Sequence, residues 1–272
     1  MSLRIQNNIE AFNAHRALVG TQSKLSKSME RLSSGYRINR AADDAAGLAI
    51  SEKLRAQISG VAQARRNAQD AISLVQTGEG ALAEVHSMLQ RVRELAVQFN
   101  NGTLSTSDQA AITTEVVALA GEISRIGSQT KFNGISLLDA TTSITFQVGA
   151  EDNQSMSVSK VQLYGSGPSY QIDSSIFTFS GTVTLASMDT AIQNVAEARA
   201  TFGSVQNRLE HTLNNLATFE ENLSASESRI RDVDMAAEMV QFTKLQILQQ
   251  AGVSMLAQAN SAPQSVLSLL RG

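Results

Sequence analysis

The chain has no cysteine and no tryptophan, only two prolines, and 4% aromatic residues within a 42% hydrophobic composition. Without cysteine there is no disulfide framework, no thiolate metal site and no cysteine nucleophile. That absence is neutral about compartment, because an extracellular protein can be held together by assembly alone. The shortage of aromatics and proline argues against a compact enzyme and for coiled or bundled helices, which need neither. No stretch approaches the roughly eighteen uncharged apolar residues of a spanning helix, so no membrane partner is expected. The N-terminus, MSLRIQNNIEAFNAH, lacks the basic segment and apolar run of a secretory signal. Export would therefore need a dedicated machine. A net charge of −3 argues against a nucleic-acid partner. The first forty residues are nonetheless basic, but Arg4, Arg16, Lys24, Lys27, Arg31, Arg37 and Arg40 are scattered around a helix and read as a solvated face.

What the chain does have is helical period at both ends. Leu18, Leu25, Met29 and Leu32 recur at helical spacing over residues 3 to 33, with Gln22 in the one gap, and Ser33-Ser34-Gly35 supplies a stop. Near the C-terminus the period is carried by Met235, Met239, Phe242, Leu245, Leu248, Met255, Leu256 and Ala259. Domain termini are usually polar and frayed. Apolar stripes at both ends can be buried only against each other or a neighbouring molecule, which points to assembly.

Between these ends, Asp43-Asp44 reads as a helix start, accepting the orphan amides of the first turn. The seam Leu54, Ile58, Val61, Ala68, Ile72, Val75, Leu82, Val85, Leu89, Val92, Ala96 and Phe99 then keeps helical period, implying a rod of about 80 Å. Asn100-Asn101-Gly102 breaks it, Ser107-Asp108 reads as the start of a helix over about 107–127, and Asn133-Gly134 marks a turn. Ile144, Phe146 and Val148 alternate, as do Met156 and Val158, predicting a β-hairpin over about 143–160. Residues 162–187, rich in Ser, Gly and Thr, read as a surface loop with short strands. A last long helix over about 188–230 shows a coiled-coil stripe of Met188, Ile192, Val195, Phe202, Leu209, Leu213, Leu216, Leu223 and Ile230, with Arg199, Gln206, Glu220 and Glu227 in the remaining seam positions. The expected fold is mainly α: an elongated rod of long antiparallel helices with a small β-hairpin, the terminal helices paired as a coiled coil.

No catalytic constellation emerges. His15, His86 and His211 sit on separate predicted helices, none at metal-ligand spacing from another. Gly78-Glu79-Gly80 is not a phosphate loop, because no strand precedes it and no GK[ST] follows. The pairs Asp43 with Asp44 and Asp232 with Asp234 lie at helix starts, where capping accounts for them. No enzyme, cofactor or metal is expected.

Several long strings then carry a specific resemblance: ERLSSGYRINRAADDAAGLAIS at 30–51, LQRVRELAVQ at 89–98, QTKFNG at 129–134, FQVGA at 146–150, NRLEHTLNNL at 207–216, ESRIRDVDMAAEM at 227–239 and QILQQAGVSMLAQANSAPQSVLSLLR at 246–271. In this order they resemble the bacterial flagellins, and the likeness fails only across about 160–187. The resemblance implies a terminal coiled-coil domain of 1–42 and 232–272 forming the inner tube of a filament, and an outer rod domain of 43–231. The segment 162–187 is too short for the surface domains of larger members, so a short form is expected. The implied function is a structural subunit of the extracellular flagellar filament, exported and polymerised into a hollow propeller, with the hook-filament junction protein as the alternative.

The implied partners are other copies of the chain, the flagellar export apparatus and export chaperone, and the filament cap and hook-filament junction proteins. Assembly is expected to involve Leu18, Leu25, Met29, Leu32, Met239, Phe242, Leu245, Leu248 and Leu256. The resemblance also implies recognition by the flagellin-sensing Toll-like receptor of animals, which reads the LQRVRELAVQ segment through an arginine, a leucine and a downstream glutamate. Those positions hold Arg91, Leu95 and Glu115.

Overall fold

The structure, a computed structural model, describes residues 8–139, 142–163, 172, 174–179 and 183–271, with side chains to Ser261. Among these residues the fold is mainly α, with five helices: α1 (Ile9–Ser34), α2 (Ala45–Phe99), α3 (Thr106–Gln129), α4 (Leu185–Arg231) and α5 (Met235–Arg271). Two antiparallel pairs accompany them, β1 (Lys131–Phe132) with β2 (Ile135–Ser136) and β3 (Ser143–Gln147) with β4 (Ser155–Ser159). The chain divides into two compact units, one of residues 1–56 and 223–272, the other of 57–222.

In the terminal unit α1 and α5 run antiparallel. The Asn8 side chain donates to the Ala259 carbonyl at 2.7 Å, Gln249 to Gln22 at 2.5 Å, and Ser28 to Glu238 at 2.6 Å. Asn8 also caps α1, its side chain accepting the Ala11 amide, so the described helix starts at Ile9; residues 3–7 of the expected helix lie outside the described residues. Gly35 ends α1 at φ 75°, a left-handed conformation that favours glycine, and its amide returns to the Arg31 carbonyl.

The links between helices are tied to one another. The Arg37 amide donates to the Arg231 carbonyl at 2.7 Å and the Val233 amide to the Gly35 carbonyl at 3.0 Å. Arg231 lies over the Tyr36 ring, 5.0 Å from its centroid, and pairs with Glu52 at 2.6 Å. Arg55 lies near Glu227 in the same unit.

The two acidic pairs each split. Asp44 caps α2 by accepting the Gly47 amide and Asp234 caps α5 by accepting the Ala236 and Ala237 amides. Asp43 instead binds the connector, and Asp232 forms an isolated bridge with Tyr36. The start of α3 also differs from expectation. Ser105 is the cap, in a reciprocal capping box with Asp108, so the helix opens at Thr106 and runs to Gln129.

The 57–222 unit holds the main apolar core, drawn from α2, α3, α4, the β3–β4 hairpin and the segment that follows it. Ile144 opposes Val158 and Phe146 opposes Met156, and all four pack on the helices. Asn133 and Gly134, both at positive φ, form the two-residue turn between β1 and β2.

The α4 seam is not the one the spacing predicts. Met188, Val195, Phe202 and Leu209 are buried as expected, but the intervening positions are Ala191, Ala198 and Val205, not Ile192, Arg199 and Gln206. Small residues allow closer approach without burying a guanidinium or an amide. Arg199 is left at the edge, 3.6 Å from Glu79. Gly78 serves the same close packing, since a Cβ there would lie 2.8 Å from the Phe202 ring.

The described part of 162–187 is a second departure. Leu163, Ile172, Ile176, Phe177, Phe179 and Val183 are buried in this core. Phe179 meets Phe99 edge to face with centroids 5.2 Å apart, and Asn100 clamps Val183 by bonds to its carbonyl at 2.9 Å and its amide at 3.0 Å. In place of short strands the described residues show a 3₁₀ turn, Ser174–Phe177, and an isolated bridge between Asp139 and Gln162.

Candidate assembly and recognition surfaces

The α1–α5 seam explains why these helices do not satisfy one another. On α1 the covered positions are Ala11, Ala14, Leu18, Thr21, Leu25, Ser28 and Leu32; on α5 they are Glu238, Phe242, Leu245, Gln249, Gly252, Leu256 and Ala259. Both sets follow the alternating three-and-four steps of a coiled coil, yet eight of these fourteen residues are small or polar. Among the described residues only Ser28 and Leu245 are buried in the pair. Glu238 sits in the seam, accepting from Ser28 and lying 3.7 Å from Arg31. Such polar seam contacts set register more than they add stability.

The expected assembly residues therefore fall into two groups. Leu18, Leu25, Leu32, Phe242, Leu245 and Leu256 lie on the internal seam. Met29, Met239 and Leu248 lie outside it and are exposed. Ile9, Phe12, Val19, Met235, Val240, Ile247, Val253 and Met255 are exposed as well. Val240 and Ile247 occupy the side of α5 opposite the seam, where Met239, Thr243, Lys244 and Leu248 complete an almost wholly apolar groove. A helix apolar on both sides is normally buried on both sides.

Much of the basic charge near the N-terminus is spent inside the unit. Arg37 donates to the Ile230 carbonyl, Arg40 pairs with Glu30, and Lys27 meets Asp43 at 2.5 Å. Asp43 also accepts the amides of Asn39 and Arg40. The Lys27 hydrogen bond, followed by that from the Arg40 amide, holds the Asp43 carboxyl at about 2, below its ordinary 3.8.

In the 57–222 unit, Arg91 and Glu115 come together on the surface at 2.9 Å, and Arg91 also reaches Glu94 at 3.2 Å. Both contacts, Glu115 first, raise the Arg91 pKa. Leu95 does not join them. At 2% exposure it belongs to the core, one turn along α2 on the inner face, so in the folded subunit it can support this surface but cannot touch a partner. Nearby, Arg93 pairs with Asp189 at 2.6 Å. Among the described residues no cluster of three or more metal-ligating side chains occurs, and no helix is long and apolar enough to cross a membrane.

The Asp43 geometry predicts an acid response. Because its carboxyl is depressed in the folded state, its contribution is fully present above about pH 4, where the free carboxylate is ionised, and is lost as pH falls toward 2. Asp43→Asn should therefore lower the melting temperature near neutrality, and the difference from the parent chain should shrink between pH 4 and pH 2. A difference independent of pH, measured by circular dichroism, would assign the loss to packing instead.

Residues 5–143 match the bacterial flagellin N-terminal helical region and residues 185–270 the C-terminal helical region. The stretch between them holds the β3–β4 hairpin and the core-packed segment. A flagellin of Halalkalibacterium halodurans is 51% identical over 98% of this chain and 99% of its own length. One from Bacillus subtilis is 47% identical over 99% of this chain and 100% of its own length. The flagellar filament 33 kDa core protein of Treponema phagedenis is 45% identical over 98% and 99% of the two chains. Likeness at this level along the whole length favours the filament subunit over the hook-filament junction protein. The chain thus belongs to the bacterial flagellins, as a short form without an outer variable domain: a self-polymerising structural subunit of the extracellular flagellar filament, and not an enzyme.

Proposed function

We propose that the terminal unit forms the inner tube of the filament and the 57–222 unit the layer outside it, with the uncovered apolar faces of α1 and α5 as the main lattice contacts. The observation that carries this reading is where exposed apolar bulk lies: of sixteen large hydrophobic side chains exposed among the described residues, twelve belong to the terminal unit. Met29, Met239 and Leu248 act directly in that lattice. Leu18, Leu25, Leu32, Phe242, Leu245 and Leu256 act through the pairing that presents those faces. Family membership supports the remaining partners: the export apparatus and export chaperone that deliver the subunit, and the cap and hook-filament junction proteins at the filament's ends.

Replacing Val240 and Ile247 together by Asp tests the lattice reading, since both lie outside the internal seam. The double variant should keep the helical circular dichroism of the monomer and yield no filaments by electron microscopy after seeding. Filaments formed by the variant at the parent's concentration would sink it.

A second surface is proposed at Arg91 and Glu115, as the site read by the animal flagellin-sensing Toll-like receptor. An exposed arginine fixed by two carboxylates presents an ordered cation, a common centre for a protein interface. Arg91→Ala should weaken receptor signalling by monomer at least about tenfold with little change in melting temperature. Leu95→Ala should act by destabilising the core, by about 2–5 kcal/mol in denaturant unfolding. Unchanged signalling by Arg91→Ala would remove this arginine from the interface.

A further inference from the structure

Seven of the chain's eight methionines lie among the described residues, and these are divided by environment. In the 57–222 unit Met156 and Met188 are 9% and 1% exposed, and Met88 packs against the same core. In the terminal unit Met29, Met235, Met239 and Met255 are 48 to 64% exposed, flanking the seam or lying outside it. The chain has no cysteine, so thioether sulfur is its only sulfur open to oxidation. Among the described residues its most accessible thioethers lie on the faces proposed to enter the lattice.

We propose that Met29, Met235, Met239 and Met255 are oxidation sites through which a peroxide blocks assembly of the free subunit, and that assembly itself shields them. The second clause rests on the lattice reading of the preceding subsection. In the reaction the sulfur lone pair attacks one peroxide oxygen as the O–O bond breaks. An S–O bond forms, hydrogen peroxide leaves as water, and the sulfur gives up two electrons to the peroxide. The product sulfoxide is polar and chiral where the thioether was apolar and adaptable. On an exposed helix face this change costs the monomer little. Within an apolar interface it places an S=O acceptor opposite hydrocarbon, which must be hydrated or left unpaired. The same peroxide therefore acts on a subunit awaiting assembly and spares one already in the filament. Sulfoxide reduction reverses the step.

The test treats purified full-length monomer and preformed filaments with hydrogen peroxide and follows oxidation by peptide mass spectrometry. In monomer Met29, Met235, Met239 and Met255 should each gain one oxygen before Met88, Met156 and Met188, and seeded growth should slow at least about tenfold. Methionine sulfoxide reductase should restore growth. A chain with all four replaced by leucine should assemble and ignore the same peroxide dose. Oxidised monomer that grows at the parent's rate, or growth that the reductase does not restore, would overturn the proposal. If instead the four sulfurs oxidise as fast in filament as in monomer, the lattice reading of these faces fails, independently of whether oxidised monomer assembles.

Discussion

The terminal helices carry more large apolar side chains than their mutual seam can bury, and the rest of this molecule's behaviour depends on that excess. The seam is filled by Ala11, Ala14, Thr21, Ser28, Gln249 and Gly252 among a few leucines and Phe242. These small and polar positions fix register while leaving little apolar area between the helices, so pairing offsets only part of the backbone ordering cost of about 1–2 kcal/mol per residue. Val240, Ile247 and their neighbours stay on the outside. For a subunit that polymerises, such an imbalance suits both the free and the assembled state. The ends are not locked by their own core, and on the proposed lattice contacts their stabilisation would rise with occupancy of the lattice by mass action.

The 57–222 unit follows a different rule. Its core recruits helix, hairpin and loop residues into one apolar cluster, with Phe179 against Phe99 and Ala191 and Ala198 allowing close packing of α4. A unit that buries its own apolar residues can offer charged, ordered groups to the outside. The Arg91–Glu115–Glu94 cluster is one example. Leu95, one turn away on the same helix, belongs to the opposite side of that division.

Much of this was legible in the sequence because it is local. Helical period located α1, α2, α4 and α5, the Ser107-Asp108 pair marked the start of α3 to within a residue, the alternation of Ile144, Phe146, Met156 and Val158 located the hairpin, and Asn133-Gly134 marked its smaller counterpart. What escaped is tertiary. The α4 spacing admits steps of four and three or of three and four, and only close approach to a neighbour selects Ala191 over Ile192 and Ala198 over Arg199. The core anchors within 162–187 were hidden by that segment's Ser, Gly and Thr content, which masks aperiodic residues such as Leu163, Ile176 and Phe179. Asp43 and Asp44 look equivalent as caps until Lys27 approaches one of them. Placing Leu95 at a surface followed from likeness of strings, which carries residue identity but not which face of the helix it occupies.

Amide hydrogen exchange measured on the same chain as monomer and as filament tests the central claim most directly, because it reports the stability of each helix separately. The account predicts that in monomer α1 and the described part of α5 exchange far faster than the segment of α2 from Ala68 to Phe99. In filament their protection should rise by orders of magnitude while that segment changes little. Terminal helices as strongly protected in dilute monomer as in filament would contradict it, since their stability would then come from their own seam and not from the lattice.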